Sequence, residues 1–256
     1  MNDRPIRVLV WGENVQEQSD PVVQATYLDG MHAAIARGIR EHLVEDATVR
    51  TATFLDPAHG LSQEAVDATD VLVWWSHTTQ KDIPTAIVDR LHARVLAGMG
   101  LVVLHSGHFS AIFRKLMGTN CTLRWREADD REMVWTVNPS HPIAAGVKHG
   151  FVIPRSEMYG EIFDIPAPEE LVFISSYSGG EVFRSGCCFR RGKGRIFYFS
   201  PGHEHFPIYY QLEVRRVIAN AVRWAYQPEV YDYDLAQLHP SRPGWFEADF
   251  QLVVDR

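Results

Sequence analysis

Two histidines stand in the motif Leu104-His105-Ser106-Gly107-His108, directly after a continuous apolar run from Leu101 to Leu104. The run reads as a buried strand and the stretch from about Phe109 to Met117 as a helix, so the motif occupies a strand–turn–helix. Such a turn exposes the side chain at its apex and directs the free N–H groups of the helix N-terminus at the same spot. Neither a G-x-S-x-G pattern nor a cysteine is present there. Ser106 is the one hydroxyl nucleophile of the turn, and Leu104 takes the place of the first glycine, which disfavours acyl transfer. An imidazole, with an ordinary pKa of about 6.5, suits acid–base work or metal ligation.

A second group, Pro201-Gly202-His203-Glu204-His205, lies just past the apolar run Ile196 to Phe199. Histidines at i and i+2 reach one ligand only where the backbone turns, so structural histidines at a strand end explain the spacing equally well. Together with His77, His105 and His108 they place five of the twelve histidines at strand ends on one side of a sheet, where some subset could hold a divalent metal. A third group, Ser156-Glu157-Met158-Tyr159-Gly160-Glu161, offers two carboxylates and a phenol, a base and a hydrogen-bonding partner for a polyol. By itself it reads as a charged loop. Trp74, Trp75, Trp125, Phe109 and Phe113 read mainly as core or loop anchors, although Trp75 and Phe109 adjoin strand-end histidines and could wall a sugar ring.

The elements that must position these groups follow from periodicity. Apolar runs at Arg7 to Trp11, Val49 to Phe54, Val71 to Trp75 and Leu101 to Leu104 alternate with helical patterns over 30–43, from Ser62, and from an Asp82-Ile83-Pro84 start to about Leu96. Strands apolar at every position, separated by helices, predict a parallel sheet covered on both faces, with ligands beyond its carboxyl ends. Those ends carry Gly12-Glu13-Asn14, Asp56, Ser76-His77 and His105-Ser106-Gly107-His108. The second half reads as short strands at 135–137, 171–177, 181–184, 187–190 and 195–200, joined by hairpin turns at Ser178-Gly179-Gly180, Ser185-Gly186 and Gly192-Lys193-Gly194. A helix from about Tyr210 to Ala225 closes the domain, with Leu212 counted on its apolar face. The last thirty residues, 227–256, read as an aromatic strap against the body or a second subunit.

The chain has 256 residues, 25 Lys plus Arg against 32 Asp plus Glu, 46% hydrophobic residues and three cysteines. That length supports one large α/β core without disulfides or a structural metal. A net charge of −7 and a pI near 5.9 give no reason to bind nucleic acid or anionic lipid. No segment approaches ~18 apolar residues, so a soluble, cytoplasmic protein is expected. No P-loop pattern occurs, and Gly192-Lys193-Gly194 precedes a strand, so no nucleotide cofactor is expected.

Read in order, Val8-Leu-Val-Trp-Gly-Glu-Asn14, Tyr27-Leu-Asp-Gly-Met-His32, Gly100-Leu-Val-Val-Leu-His105-Ser-Gly-His108, Ser156-Glu-Met-Tyr-Gly160 and Gly192-Lys-Gly-Arg-Ile-Phe-Tyr-Phe-Ser-Pro-Gly-His203-Glu204 resemble the trehalose-utilisation protein ThuA family over about residues 5–226. The resemblance implies a single domain over 1–226 with a flavodoxin-like, class I glutamine amidotransferase-like parallel sheet, helices on both faces and antiparallel hairpins in the second half. His105 takes the place of the amidotransferase cysteine, and His203-Glu204 resemble its distal pair, so thioester hydrolysis of glutamine is not expected. The resemblance puts His105, Glu157, Tyr159 and His203 at the catalytic site, with Asn14, Trp75, His77, His108 and Glu204 as substrate contacts. His32, His105, His108 and His203 are the candidate ligands of a divalent metal such as Zn or Mn. The implied activity is acid–base chemistry on an oxidised, 3-keto sugar, by glycosidic bond loss or isomerisation. Alternatives are a sugar-binding module without turnover and a metal-dependent amide or ester hydrolase. The expected partners are a small sugar and a second copy through the strap.

Overall fold

The computed structural model describes residues 4–228. One nine-stranded sheet runs through it, built from β1 (Ile6–Gly12), β2 (Ala47–Thr53), β3 (Val71–Trp75), β4 (Gly100–Leu104), β5 (Arg124–Thr136), β6 (Gly150–Gly160), β7 (Glu170–Tyr177), β8 (Val182–Arg191) and β9 (Gly194–Phe199). The order is β2-β1-β3-β4-β9-β8-β7-β5-β6. The first five in that order are mutually parallel and the other pairings antiparallel. With β9 as fifth strand, the parallel half has the doubly wound order 2-1-3-4-5.

The helices are α1 (Gln16–Ser19), α2 (Pro21–Thr26), α3 (Met31–Leu43), α4 (Gln63–Asp67), α5 (Thr85–Leu96), α6 (Ala111–Met117) and α7 (Leu212–Ala225). Successive side chains along a strand point to opposite faces, so each apolar strand feeds two cores. Val8, Val10, Val71, Val73, Val102, Leu104, Phe197 and Phe199 pack with α3 and α7, whereas Leu9, Trp11, Leu72, Trp74, Leu101, Val103, Ile196 and Tyr198 pack with α4, α5 and α6. Trp11 and Trp74 stack on neighbouring strands with centroids 4.0 Å apart.

The architecture departs from the sequence reading at several points. Ser185-Gly186 is no turn: β8 runs unbroken through it, and Gly186 is there because a Cβ would sit 2.5 Å from the Phe173 ring. The irregular register around Phe173 marks this as a bulge, the usual meaning of glycine inside a strand. Most of β5 escapes periodicity because it presents charge at consecutive positions and Asp129, at φ 52°, interrupts its ladder, and β6 escapes because Pro154 cuts short the apolar run Phe151 to Ile153. The Ser156–Glu161 group thus lies at the end of a strand, not in a loop. Asp82 does not cap α5, whose cap position is taken by Pro84. Residues 105–109 form a 3₁₀ turn, and α6 starts at Ala111 with Ser110 as its cap. Leu212 is exposed. The strap at 227–256 lies, beyond Pro228, outside the described residues.

Phe197 sits on the fifth parallel strand with no exposed surface, in the core under α7. Replacing it by alanine is expected to cost about 3–5 kcal/mol, read as a lower urea midpoint with an unchanged denaturant slope.

Candidate active site

His105 follows the last residue of β4 at φ 48°, a conformation costly to any side chain other than glycine. The reversal aims the ring beyond the strand's carboxyl end. Gly202, after β9, lets the two turns meet, since a Cβ there would fall 2.8 Å from His105 Cβ and 2.3 Å from the Tyr209 hydroxyl. The His105 and His203 rings come to 5.5 Å between centroids. Strand β6 brings its end across to the same place: Tyr159 stacks on His105 at 4.8 Å, and Glu157 Oε2 lies 3.1 Å from His105 Nε2.

The hydrogen bonds assign the protons. His105 Nδ1 lies 2.9 Å from the Ser200 carbonyl oxygen, which only accepts, so Nδ1 carries a proton. Nε2 then faces the Glu157 carboxylate at 3.1 Å. The Tyr159 hydroxyl stands 3.3 Å from the same nitrogen, and burial holds its pKa well above the phenol value, so it stays a donor. Burial pushes the Glu157 carboxyl up, but the His105 hydrogen bond and the charges of His105 and His203 outweigh it and keep it below the usual carboxylate range.

His203 is the opposite tautomer. Its Nδ1 accepts from the His205 backbone N–H at 3.1 Å, so the neutral ring carries its proton on Nε2, 3.9 Å from Glu157 Oε2 and 4.0 Å from Glu127 Oε1. Burial, then His105, lowers its pKa to about 4, leaving a neutral N–H donor at pH 7. Glu204 is buried, which raises its pKa, yet the His77 hydrogen bond and the charges of His203 and His77 hold it far below the carboxylate range. In return, its hydrogen bond raises His77, whose Nδ1 is 3.1 Å from Glu204 Oε1. His108 donates from Nδ1 to the Cys121 carbonyl at 2.7 Å, and burial drives its pKa down to about 3.

Of these groups His77, His108, Glu157, Tyr159, His203 and Glu204 line one cavity of about 1120 Å³, while His105, 2% exposed, stands behind Glu157 and Tyr159 and does not line it. Its aromatic wall is Phe109 and Trp125, the latter 62% exposed. Trp75 is not part of it: the indole is 1% exposed, in the core between the sheet and α3 and α7. Asn14 and His32 do not line the cavity either. Asn14 accepts from Gln18, and His32, half-buried in the first turn of α3, packs on Gly12.

Among the described residues one group of donors could hold a metal: His105, Glu157 and His203, with ligand atoms within 4.8 Å of one another. His32 and His108 are outside it. The carbonyl behind His105 Nδ1 is what orients a metal-binding imidazole. The N–H behind His203 Nδ1 is not, so ligation through Nε2 would require that ring to take its other tautomer.

Two residues escaped sequence reasoning. Glu127, which lines the cavity beside His203, lies on the unread strand β5. Glu13 was visible only as one polar residue at a strand end, yet its buried carboxylate accepts from the backbone N–H groups of His77, Thr78 and Thr79 at 2.6, 2.8 and 2.8 Å, and from the Thr78 hydroxyl.

Fold and site together define a doubly wound α/β protein with a histidine–glutamate cluster at the carboxyl rim of its sheet. The chain belongs to the ThuA family, described as trehalose utilisation, whose model matches residues 7–225; that family places it in carbohydrate utilisation. It is similar to a ThuA-like protein of Bacteroides uniformis, at 16% identity and TM-score 0.64 over 88% of this chain and 93% of that one. A ThuA-like protein of Parabacteroides merdae gives 13% identity and TM-score 0.63 over 90% and 93%. A cytoplasmic protein of Salmonella typhimurium gives 12% identity and TM-score 0.53 over 87% and 100%. No curated protein matches the chain by sequence. No helix among the described residues is long and apolar enough to cross a membrane.

His108, neutral in the folded protein, titrates near 6.5 once unfolded. Between pH 6.5 and 3 the unfolded chain therefore binds the extra proton, and folding stability falls as pH drops, by up to ~1.4 kcal/mol per unit for this one group. His108→Asn, which keeps a donor toward the Cys121 carbonyl, is expected to flatten the decline; chemical denaturation at pH 4, 5 and 6.5 measures it.

Proposed function

We propose that the protein is a carbohydrate-utilisation enzyme that acts on a 3-keto sugar by acid–base chemistry. The observation that carries this reading is the convergence of an ionised Glu157, the neutral His203 N–H and the Tyr159 hydroxyl on one cavity rim, with the buried His105 ring directly behind Glu157. A ketone at C3 acidifies the hydrogen at C2. Glu157 takes that proton, and the enolate oxygen is stabilised by donors that do not need to ionise, His203 Nε2–H and the Tyr159 hydroxyl. Elimination across C1–C2 breaks the glycosidic bond. The departing oxygen takes the proton that Glu157 gained from C2, which restores the carboxylate, while the His105 ring 3.1 Å behind it holds that carboxylate in place. Return of the proton to the enolate without elimination gives isomerisation instead.

General base assistance contributes roughly 10²–10⁴ in rate and oxyanion stabilisation ~10²–10³. Turnover of 3-ketotrehalose by wild type is expected to fall by about 10²–10⁴ in Glu157→Gln and in His105→Ala. Variants as fast as wild type would remove both from the chemistry. Calorimetric sugar binding with no product at any pH would instead identify a binding module.

A second reading has a specific observation behind it, the three donors of His105, Glu157 and His203. Tetrahedral ligation at 2.0–2.1 Å needs donor separations of about 3.3 Å, close to the 3.1 and 3.9 Å between Glu157 Oε2 and the two imidazoles. A metal there would act as the electrophile on a carbonyl oxygen. The acid–base reading expects undiminished turnover after dialysis against chelator; stoichiometric metal in the purified protein and loss of turnover on chelation support the second.

A further inference from the structure

The walls of the cavity carry opposite charges. The sheet rim contributes Glu127, Glu157 and Glu204. The wall formed by α5, the loop before it and α6 contributes Lys81, Arg114 and Lys115 against a single acid, Asp89. Asp89 is taken by Lys115 in an ion pair. Arg114 has one side-chain contact among the described residues, a hydrogen bond to the neutral Asn120 amide oxygen at 3.2 Å, and Lys81 has no hydrogen bond or ion pair among them. Two cationic groups are thus left uncompensated in the wall of a cavity in a chain of net charge −7. Anions are repelled by such a protein as a whole and attracted locally by a basic wall.

We propose that the cavity takes a sugar bearing an anionic substituent, a carboxylate or a phosphate, held by Lys81 and Arg114; the proposal rests on the reading of this cavity as a sugar site. The guanidinium offers the planar fork that carboxylates and phosphates fill, and the lysine adds a mobile point charge. The separation of charge also fixes direction. A neutral disaccharide of two like rings can enter either way round. An anionic end is driven from the three carboxylates toward α5 and α6, which leaves the uncharged ring with its keto carbon at Glu157.

Binding without turnover tests this independently of the chemistry. Calorimetry at low salt compares methyl β-D-glucuronide with methyl β-D-glucoside, and glucose 6-phosphate with glucose, on wild type and on the double variant Lys81→Gln, Arg114→Gln. Both residues are exposed, so the variant is expected to melt like wild type. Wild type should bind at least one charged ligand about tenfold more tightly than its neutral counterpart, with the preference falling as salt is added. The pair showing the larger preference identifies the anion. The double variant should lose the preference and keep its affinity for the neutral ligand. Equal affinity for charged and neutral ligands, absence of binding by both members of both pairs, or a preference that survives in the double variant would overturn the proposal. If the preference is found but no 3-keto sugar is turned over, the acid–base reading fails while the anion site stands.

Discussion

Glu157 is a carboxylate in a site walled off from most of the solvent, and it stays ionised because imidazole nitrogens face it at 3.1 and 3.9 Å. A buried charge of this kind costs several kcal/mol to desolvate and must be met by a partner in the right place. The geometry around it follows from that requirement. His105 is held by the Ser200 carbonyl with its second nitrogen turned to the carboxylate, Tyr159 stacks on it, and Gly202 allows the two histidine turns to touch. Removing His105 would take away the hydrogen bond that keeps the largely enclosed Glu157 ionised, so acid–base competence and local stability depend on the same contact.

The antiparallel half of the sheet has its role here. Doubly wound sheets collect their chemistry beyond the carboxyl ends of parallel strands, which here bring His77, His108, His203 and Glu204 to the cavity. The carboxylate nearest His105 comes from β6, at the far edge of the sheet, reached through β9, β8, β7 and β5 in turn. Glu132 on β5, buried and accepting from the Ser156 and Ser175 hydroxyls at 2.8 and 2.6 Å, ties the strand carrying Glu157 to its neighbours. Burial raises its pKa, and those hydroxyls offset part of that penalty.

The parallel half was legible in the letters because strands buried on both faces must be apolar throughout, as Val71 to Trp75 and Leu101 to Leu104 are. Each such run ends where the apolar pattern ends, so His77, His105 and His203 could be placed at one rim before any coordinates. Strand β5 could not be read the same way. Arg124 to Glu132 is largely exposed and charged, its ladder interrupted at Asp129, and nothing in its spacing announces a strand. With β5 missing, β6 looked like a loop and Glu127 had no place. Trp75 shows the converse failure: adjacency to His77 in sequence implied a wall of the cavity, but side chains alternate along a strand, and its ring faces the helices on the other side.

The carboxylate of Glu13 has a further consequence. By accepting three successive amides it fixes the backbone of residues 77–79, each of which costs roughly 1–2 kcal/mol of entropy to order. His77 is therefore presented to the cavity already immobilised, and a ligand that touches it meets a preorganised surface, with no need to freeze a fluctuating one on arrival.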